Sequence, residues 1–433
     1  MLFLIGLLAA PIMAQSGHVL DGMGAINQGM GGVGAGLAIE PMGALHWNPA
    51  AIGGLPEGQS HRIAMSLVAF SPTTSLSSSV NAGSFGPGFP ASNLSGESES
   101  QTGNSYIPSI AMVHAPKDSD WLYGIALYGI SGFGVDYAVD PNNPILTPQP
   151  PAGMGFGAIY SEYTLMQLAP TIARRLNKEW TVAFAPTLNV GTLAVSPFSG
   201  TNPDDANGDG FPSYPKNRDA ETALGLGFKL GAYWQGRSGW SAGAAFKSPI
   251  WFGDFEYDAA DELGGIRSYS FDLDYPSITS LGTGYTDRSG WKVGADIRWV
   301  DYANTNGFDK QGFGSDGSVL GFHWRSIPIV GVGGEYPITD SFSLLGGLSW
   351  NANPIRSEDA FFNVAAPAII QTHLSTGFRW QYSDSLELSL AYKHGFANEV
   401  SGPFQGASGP ISGTSVTSDL AVDSLSFGLS WNF

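Results

Sequence analysis

Hydrophobic and polar residues alternate with period two along several stretches of this chain. From Trp180 onward the even positions read Trp180, Val182, Phe184, Pro186, Leu188 and Val190, with Thr181, Ala183, Ala185, Thr187, Asn189 and Gly191 between them. Trp291, Val293, Ala295, Ile297 and Trp299 alternate with Lys292, Gly294, Asp296 and Arg298, and Leu386, Leu388, Leu390 and Tyr392 with Glu387, Ser389, Ala391 and Lys393. The chain closes on Leu425, Phe427, Leu429, Trp431 and Phe433, separated by Ser426, Gly428, Ser430 and Asn432. Such alternation marks strands with two unlike faces. Counting these segments predicts about fourteen strands, near 61–70, 105–116, 121–132, 161–176, 179–194, 221–236, 239–258, 266–285, 290–304, 318–336, 341–354, 371–382, 386–399 and 419–433.

The predicted connections alternate in length. Short ones fall at 117–120, 177–178, 237–238, 286–289, 339–340 and 383–385; long ones at 71–104, 133–160, 196–220, 261–265, 306–317, 355–370 and 401–418. Tight turns on one side and long loops on the other are the pattern of an outer-membrane barrel. Composition supports this. Charged residues make up 13%, about half the ~25% usual in soluble domains. After the N-terminus no run of 18 apolar residues occurs, which excludes transmembrane helices. The predicted fold is therefore all-β, a 14-stranded antiparallel transmembrane barrel at residues 59–433, closed because lipid offers an open edge no hydrogen-bond partners. Trp121, Trp180, Trp240, Trp291, Trp299, Trp350, Trp380 and Trp431 sit near strand ends, where interfacial girdles belong. The terminal Phe433 looks like the C-terminal assembly signal of such barrels.

Residues 2–13 are an apolar run ending Ile12-Met13-Ala14, too short to span and read as a signal peptide over 1–14, although a positive start is missing. The stretch 23–51 is different again. Seven glycines fall between Gly22 and Gly36, a load that no regular element carries cheaply. Its use is close backbone packing in a confined space. Asn48-Pro49-Ala50 reads as a helix start, with Asn48 capping and Pro49 at the first helical position. The order Gly29-Met30-Gly31-Gly32, a spacer containing Glu40, then Asn48-Pro49-Ala50 resembles the N-terminal hatch of the FadL-type outer-membrane transporters of hydrophobic compounds. The resemblance implies a hatch at 15–58 plugging the lumen, a Gram-negative outer-membrane location, and uptake of long-chain fatty acids or hydrocarbons. It also implies a lateral exit through a kinked third strand, here near Gly129, Gly132 and Gly134. Because a glycine-rich hatch can repack at low steric cost, the ligand is expected to contact it near Val19 and Leu20 on the way.

Expected partners are hydrophobic small molecules such as fatty acids, hydrocarbons and detergents, together with outer-membrane lipids and lipopolysaccharide, with the chain a monomer. A formal charge of −18 argues against nucleic acid. Basic residues near the outer loops, Arg267, Lys310, Arg325 and Arg356, are candidates for a ligand carboxylate. The inward charges Lys292, Asp296, Arg298, Glu387 and Lys393 read as a ladder holding the hatch to the wall, or else as ligand contacts. Asp205, Asn207 and Asp209 match the opening half of a calcium loop, but Lys216 stands where a bidentate Glu would complete it; the other reading is a solvated acidic turn. No other cofactor is expected. No Gly-x-Ser-x-Gly or His-Glu-x-x-His constellation occurs, and no enzyme is read. A rival reading is a barrel that holds exported proteins at the surface, or an adhesin.

Overall fold

The computed structural model describes residues 16–56, 60–197, 201–215 and 219–433; the predicted signal at 1–14 and Lys216 lie outside them. Among the described residues, fourteen antiparallel strands close into a barrel. They are β1 His61–Val80, β2 Ser105–His114, β3 Trp121–Tyr137, β4 Ile159–Arg175, β5 Trp180–Ser196, β6 Glu221–Gln235 and β7 Trp240–Lys247. The circuit continues with β8 Ile278–Thr286, β9 Lys292–Val300, β10 Ile327–Pro337, β11 Phe342–Asn351, β12 Thr372–Gln381, β13 Leu386–Gly402 and β14 Thr414–Asn432. Closure runs from Arg62↔Asn432 to Val80↔Thr414, so β1 seals onto β14 along its whole length.

Alternation in sequence becomes inside and outside. On β14, Leu425, Phe427 and Trp431 are exposed toward lipid while Ser424 and Ser426 are buried in the lumen. Trp121, Trp180, Trp240, Trp380 and Trp431 mark the short-turn rim, Trp299 and Trp350 the loop rim, and all seven are exposed. The terminal Phe433 exchanges backbone hydrogen bonds with His61, at 2.9 and 3.0 Å, and stacks on its ring.

Three predicted strands need correction: in 318–336 the first nine residues are loop, and the strand begins at Ile327. The other two, 239–258 and 266–285, each join a barrel strand to half of a separate hairpin, Phe255–Ala260 with Ile266–Phe271. Residues 261–265 are the tip of that hairpin, closed by Asp261 N–H to Gly265 O at 2.8 Å. A loop hairpin alternates as a barrel strand does, so periodicity alone joins them. In turn, β1 runs ten residues beyond the predicted 70, through a Ser/Thr-rich stretch that the apolar pattern misses.

The hatch fills the lumen with two short helices, α1 Ala25–Gly29 and α2 Pro41–Trp47, and a 3-10 turn Pro49–Gly54. Glu40 caps α2, accepting from Met42 N and Gly43 N at 2.7 Å, with Pro41 at the first helical position. Asn48 caps the 3-10 turn and donates to Ala35 O and Ala232 O, at 2.8 and 3.0 Å. The glycines bring backbone onto backbone. A Cβ on Gly243 would strike Ala35 O, one on Gly282 would strike Gly36 N, and one on Gly333 would strike Met30 O. Hatch and wall are thus fused along the arc from β7 to β11.

Candidate functional site

On the opposite arc the wall is incomplete. β3 pairs with β2 only from Tyr123↔His114 to Leu127↔Ile110. Beyond Leu127 it continues along β4 as far as Tyr137, through a register shift between Gly129 and Ser131 that leaves Ile130 without a partner. Such a bulge bends a strand and ends pairing on its far side. Past it the two-faced pattern disappears. Tyr128, Ile130, Ser131, Phe133, Val135 and Tyr137 are all buried, so this half of β3 has turned inward, away from lipid. The upper rim of the gap is tied by Gln101 N–H to Asp136 O at 2.7 Å and by Asp136 N–H to Ser100 Oγ at 2.9 Å.

The hatch occupies the edge that β2 leaves. Leu20 N–H donates to Ile130 O at 3.2 Å, and Gly132 N–H donates to His18 O at 3.3 Å. The Ser131 hydroxyl reaches the same His18 carbonyl at 2.7 Å. Val19 and Ser131 form a one-residue antiparallel bridge. Buried backbone groups need partners; here the plug supplies those that the neighbouring strand does not.

Immediately behind this bridge, the His18 ring is enclosed by aromatics. Phe308, Tyr275, Tyr302, Trp324 and Tyr163 lie with ring centroids 4.9 to 6.0 Å from it. Its Nδ1 lies 2.8 Å from the Tyr302 hydroxyl. Burial pushes the imidazole pKa down to about 3, so the ring is neutral. Further out, Phe156, Ile159, Tyr214, Val319, Phe361 and Val364 line an apolar cavity of about 60 Å³ among the long loops. Phe361 and Val364, the cage around His18, and Val19, Met23 and Ile107 belong to one continuous apolar cluster. Apolar side chains therefore run unbroken from the loop cavity to the gap.

Charges hold the rest of the hatch. Burial alone would raise the Asp21 carboxyl pKa, but Lys393 and His373 outweigh it and hold the group below the usual carboxylate range. Asp296 accepts from the backbone of Gly34 and Ala35, at 2.7 and 2.8 Å, and pairs with Arg298 at 2.8 Å. The glycine-rich loop thus cradles a wall carboxylate. Nearer the short turns, Lys292, Glu335, Arg379 and Glu387 form a continuous ion-pair chain.

The residues singled out in the sequence therefore separate. Gly29, Met30, Gly31 and Gly32 lie in the fused arc, the last two with φ of 65° and 76°. Asn48, Pro49 and Ala50 form the second cap, packed against β6. Gly129 and Gly132 flank the bulge, and Gly134 pairs with Glu162 above it. Arg267 binds Asp204 at 2.8 Å, Arg356 lies 3.6 Å from Glu358, Arg325 donates to Asn353 O, and Lys310 is exposed; none lines the loop cavity. Asp205, Asn207 and Asp209 form an exposed turn, in which Asp209 N–H donates to Asn207 Oδ1 at 2.9 Å. Among the described residues, no group of three or more His, Cys, Asp or Glu side chains gathers in a way that could hold a metal ion. Sequence reasoning passed over His18, the Glu40-Pro41 cap, and the lumenal Lys229 and Lys247. The two lysines occupy inward positions of alternating strands, a signal that was present.

A family model described as "Outer membrane protein transport protein (OMPP1/FadL/TodX)" matches residues 6–433. Comparison with curated protein sequences returns no match. Among solved structures, the Pseudomonas putida toluene transporter TodX superposes with a TM-score of 0.67 at 18% identity, covering 96% of this chain and 99% of that one. The Ralstonia pickettii toluene transporter TbuX gives 0.67 at 16% identity, over 96% and 99%. A Pseudomonas aeruginosa FadL homologue gives 0.69 at 16% identity, again over 96% and 99%. At these identities the superpositions establish the barrel and its plug, and the family match extends over almost the entire length. The chain belongs to the OMPP1/FadL/TodX family of outer-membrane transport proteins.

Proposed function

We propose that this chain is a conduit, not an enzyme, which takes hydrophobic small molecules from the cell exterior and releases them sideways into the outer membrane. One observation carries the reading: beyond Leu127 the wall between β2 and β3 is unpaired, and residues 18–20 of the hatch stopper it. A ligand would settle first in the loop cavity, pass the aromatic rings around His18, and leave as the stopper withdraws. Burying a methylene yields about 0.8 kcal/mol, so a sixteen-carbon tail gains roughly 12 kcal/mol on leaving water. A sideways exit keeps that gain, whereas release into periplasmic water would forfeit most of it. The aromatic cavity and cage suit ring compounds as well as chains, in keeping with neighbours described as toluene transporters. The secretion-partner and adhesin readings need long loops but no gap in the wall, so they are not favoured.

The chain has no cysteine, which makes a clean lock possible. A Val19→Cys, Ser131→Cys pair, placed at the bridging positions, should form a disulfide across stopper and wall. Uptake of labelled long-chain fatty acid and of toluene is then measured in cells lacking their own transporter. We expect uptake to fall to background in the oxidised variant and to return on reduction. Equal uptake by the oxidised form would rule out this exit.

A further inference from the structure

Two of the buried cationic side chains in the lumen have no carboxylate partner among the described residues. Arg298 pairs with Asp296, and Lys393 with Asp21. Lys229 and Lys247 are buried as deeply, and neither forms an ion pair among the described residues. They stand directly opposite each other on β6 and β7. Their contacts are neutral: Lys229 donates to Leu45 O at 3.3 Å and to the Tyr128 hydroxyl, while Lys247 lies 3.2 Å from His46 Nε2 and 4.2 Å above the Trp47 ring. Like charges facing each other across a strand pair repel, and a buried charge without a counter-charge is costly.

A small cavity of about 10 Å³ is lined by both lysines, together with Gln167, Thr187 and Tyr275. Two of its other groups are hydroxyls with a proton to give; a third, Ser248, already donates to Pro249 O. The Tyr275 hydroxyl is buried and has no hydrogen-bond partner. The Thr187 hydroxyl accepts from Asn189 Nδ2 at 3.1 Å and keeps its own proton to give. Gln167 Oε1 is also unpartnered, an acceptor ready for one ammonium proton. Two ammonium groups and two hydroxyls able to donate thus border one space. That space is about one water molecule in size; a halide, slightly larger, enters when the two lysine side chains give by a few tenths of an ångström, whereas a carboxylate with a tail attached does not fit.

We propose that Lys229 and Lys247 hold one halide-sized anion, a resident counter-ion of the lumen. It lies beside Ile130 of the bulge and behind the last turn of α2, whose Leu45 carbonyl is held by Lys229. With the anion in place both lysines stay charged and α2 stays docked. The site stands apart from the transport reading, since it asks nothing of the ligand or of the exit.

The test uses the purified full barrel, crystallised from sodium bromide, with diffraction measured at the bromine absorption edge. The expected result is one anomalous peak between the two Nζ atoms, absent from Lys229→Met and from Lys247→Met, each checked for folding by heat-modifiable migration. In solution, replacing gluconate by chloride or bromide at constant ionic strength should raise the unfolding midpoint of the unaltered protein by a few degrees and leave both variants unmoved. Absence of the peak in the unaltered protein overturns the proposal, and that measurement stands even if neither variant folds. A detergent head group found in the space, or a midpoint shift that survives in both variants, overturns it too.

Discussion

Val19 of the hatch stands opposite Ser131 of β3, on the edge that β2 abandons after Ile110. A chain lacking residues 16–20 should fold as a barrel but leave that edge open. Cells carrying it should admit a large hydrophobic dye several-fold faster than cells carrying the unaltered protein, with folding shown by heat-modifiable migration. Equal dye entry would mean that these residues do not close the wall.

Gly243→Ala should loosen the plug, because the new methyl group would meet Ala35 O and Asn48 Nδ2. Overpacking of this kind costs about 1–3 kcal/mol. Gly346→Ala is the control: it lies in the same sheet, faces lipid and has open space around its added Cβ. Surface changes of that type stay within about 0.5 kcal/mol. Urea unfolding in phospholipid vesicles compares the two, and a matched pair of midpoints would contradict the fused arc.

Glu40 makes the hatch sensitive to pH. Burial raises its pKa from 4.5 to about 7, against the opposing hydrogen bonds from Gly43 and Met42. The folded state therefore holds this proton more tightly than the unfolded chain does. The corresponding stability is fully present below pH 4.5 and is lost as pH rises toward 7. A shift of that size corresponds to about 3 kcal/mol. Glu40→Gln keeps an acceptor for the α2 cap and removes the titration. Across this window the unaltered protein should lose thermal stability relative to Glu40→Gln; parallel curves at pH 4, 6 and 8 would refute the assignment.

Deleting Phe433 should lower the yield of folded barrel. The residue supplies both backbone hydrogen bonds to His61 and a stacked ring 5.3 Å from it, at the point where β1 and β14 meet. The ratio of folded to unfolded band on an unheated gel reads the effect, and an unchanged ratio in cells would count against a closing role for this residue.

The strands were legible because each alternates by itself, and a barrel wall imposes that pattern whatever its neighbours. The hatch was legible through its glycine load and its Asn48-Pro49 cap. The gap was not. β2 alternates through Ser105, Ile107 and Ser109 as though it were paired on both sides, and pairing is a property of two strands that neither spells out alone. The same reason hid the lysine pair: Lys229 and Lys247 are each visible as inward charges, but their opposition depends on the register between β6 and β7. The Glu40-Pro41 cap was readable and passed over, since Glu is a less familiar first cap than Ser or Asp.

The fused arc of glycines also limits which part of the plug can leave the wall. From Asp21 onward the plug is tied down, by Lys393, by Asp296 and by backbone contact with the wall. Ser16-Gly17-His18-Val19-Leu20 is held differently: Ser16 and Val19 exchange backbone hydrogen bonds in a tight turn, and His18, Val19 and Leu20 grip the free edge of β3. On the proposed sideways route, any opening is limited to the space which that five-residue turn vacates. Size selection would then come from the dimensions of the moving piece, with no need for a pocket shaped to any one compound.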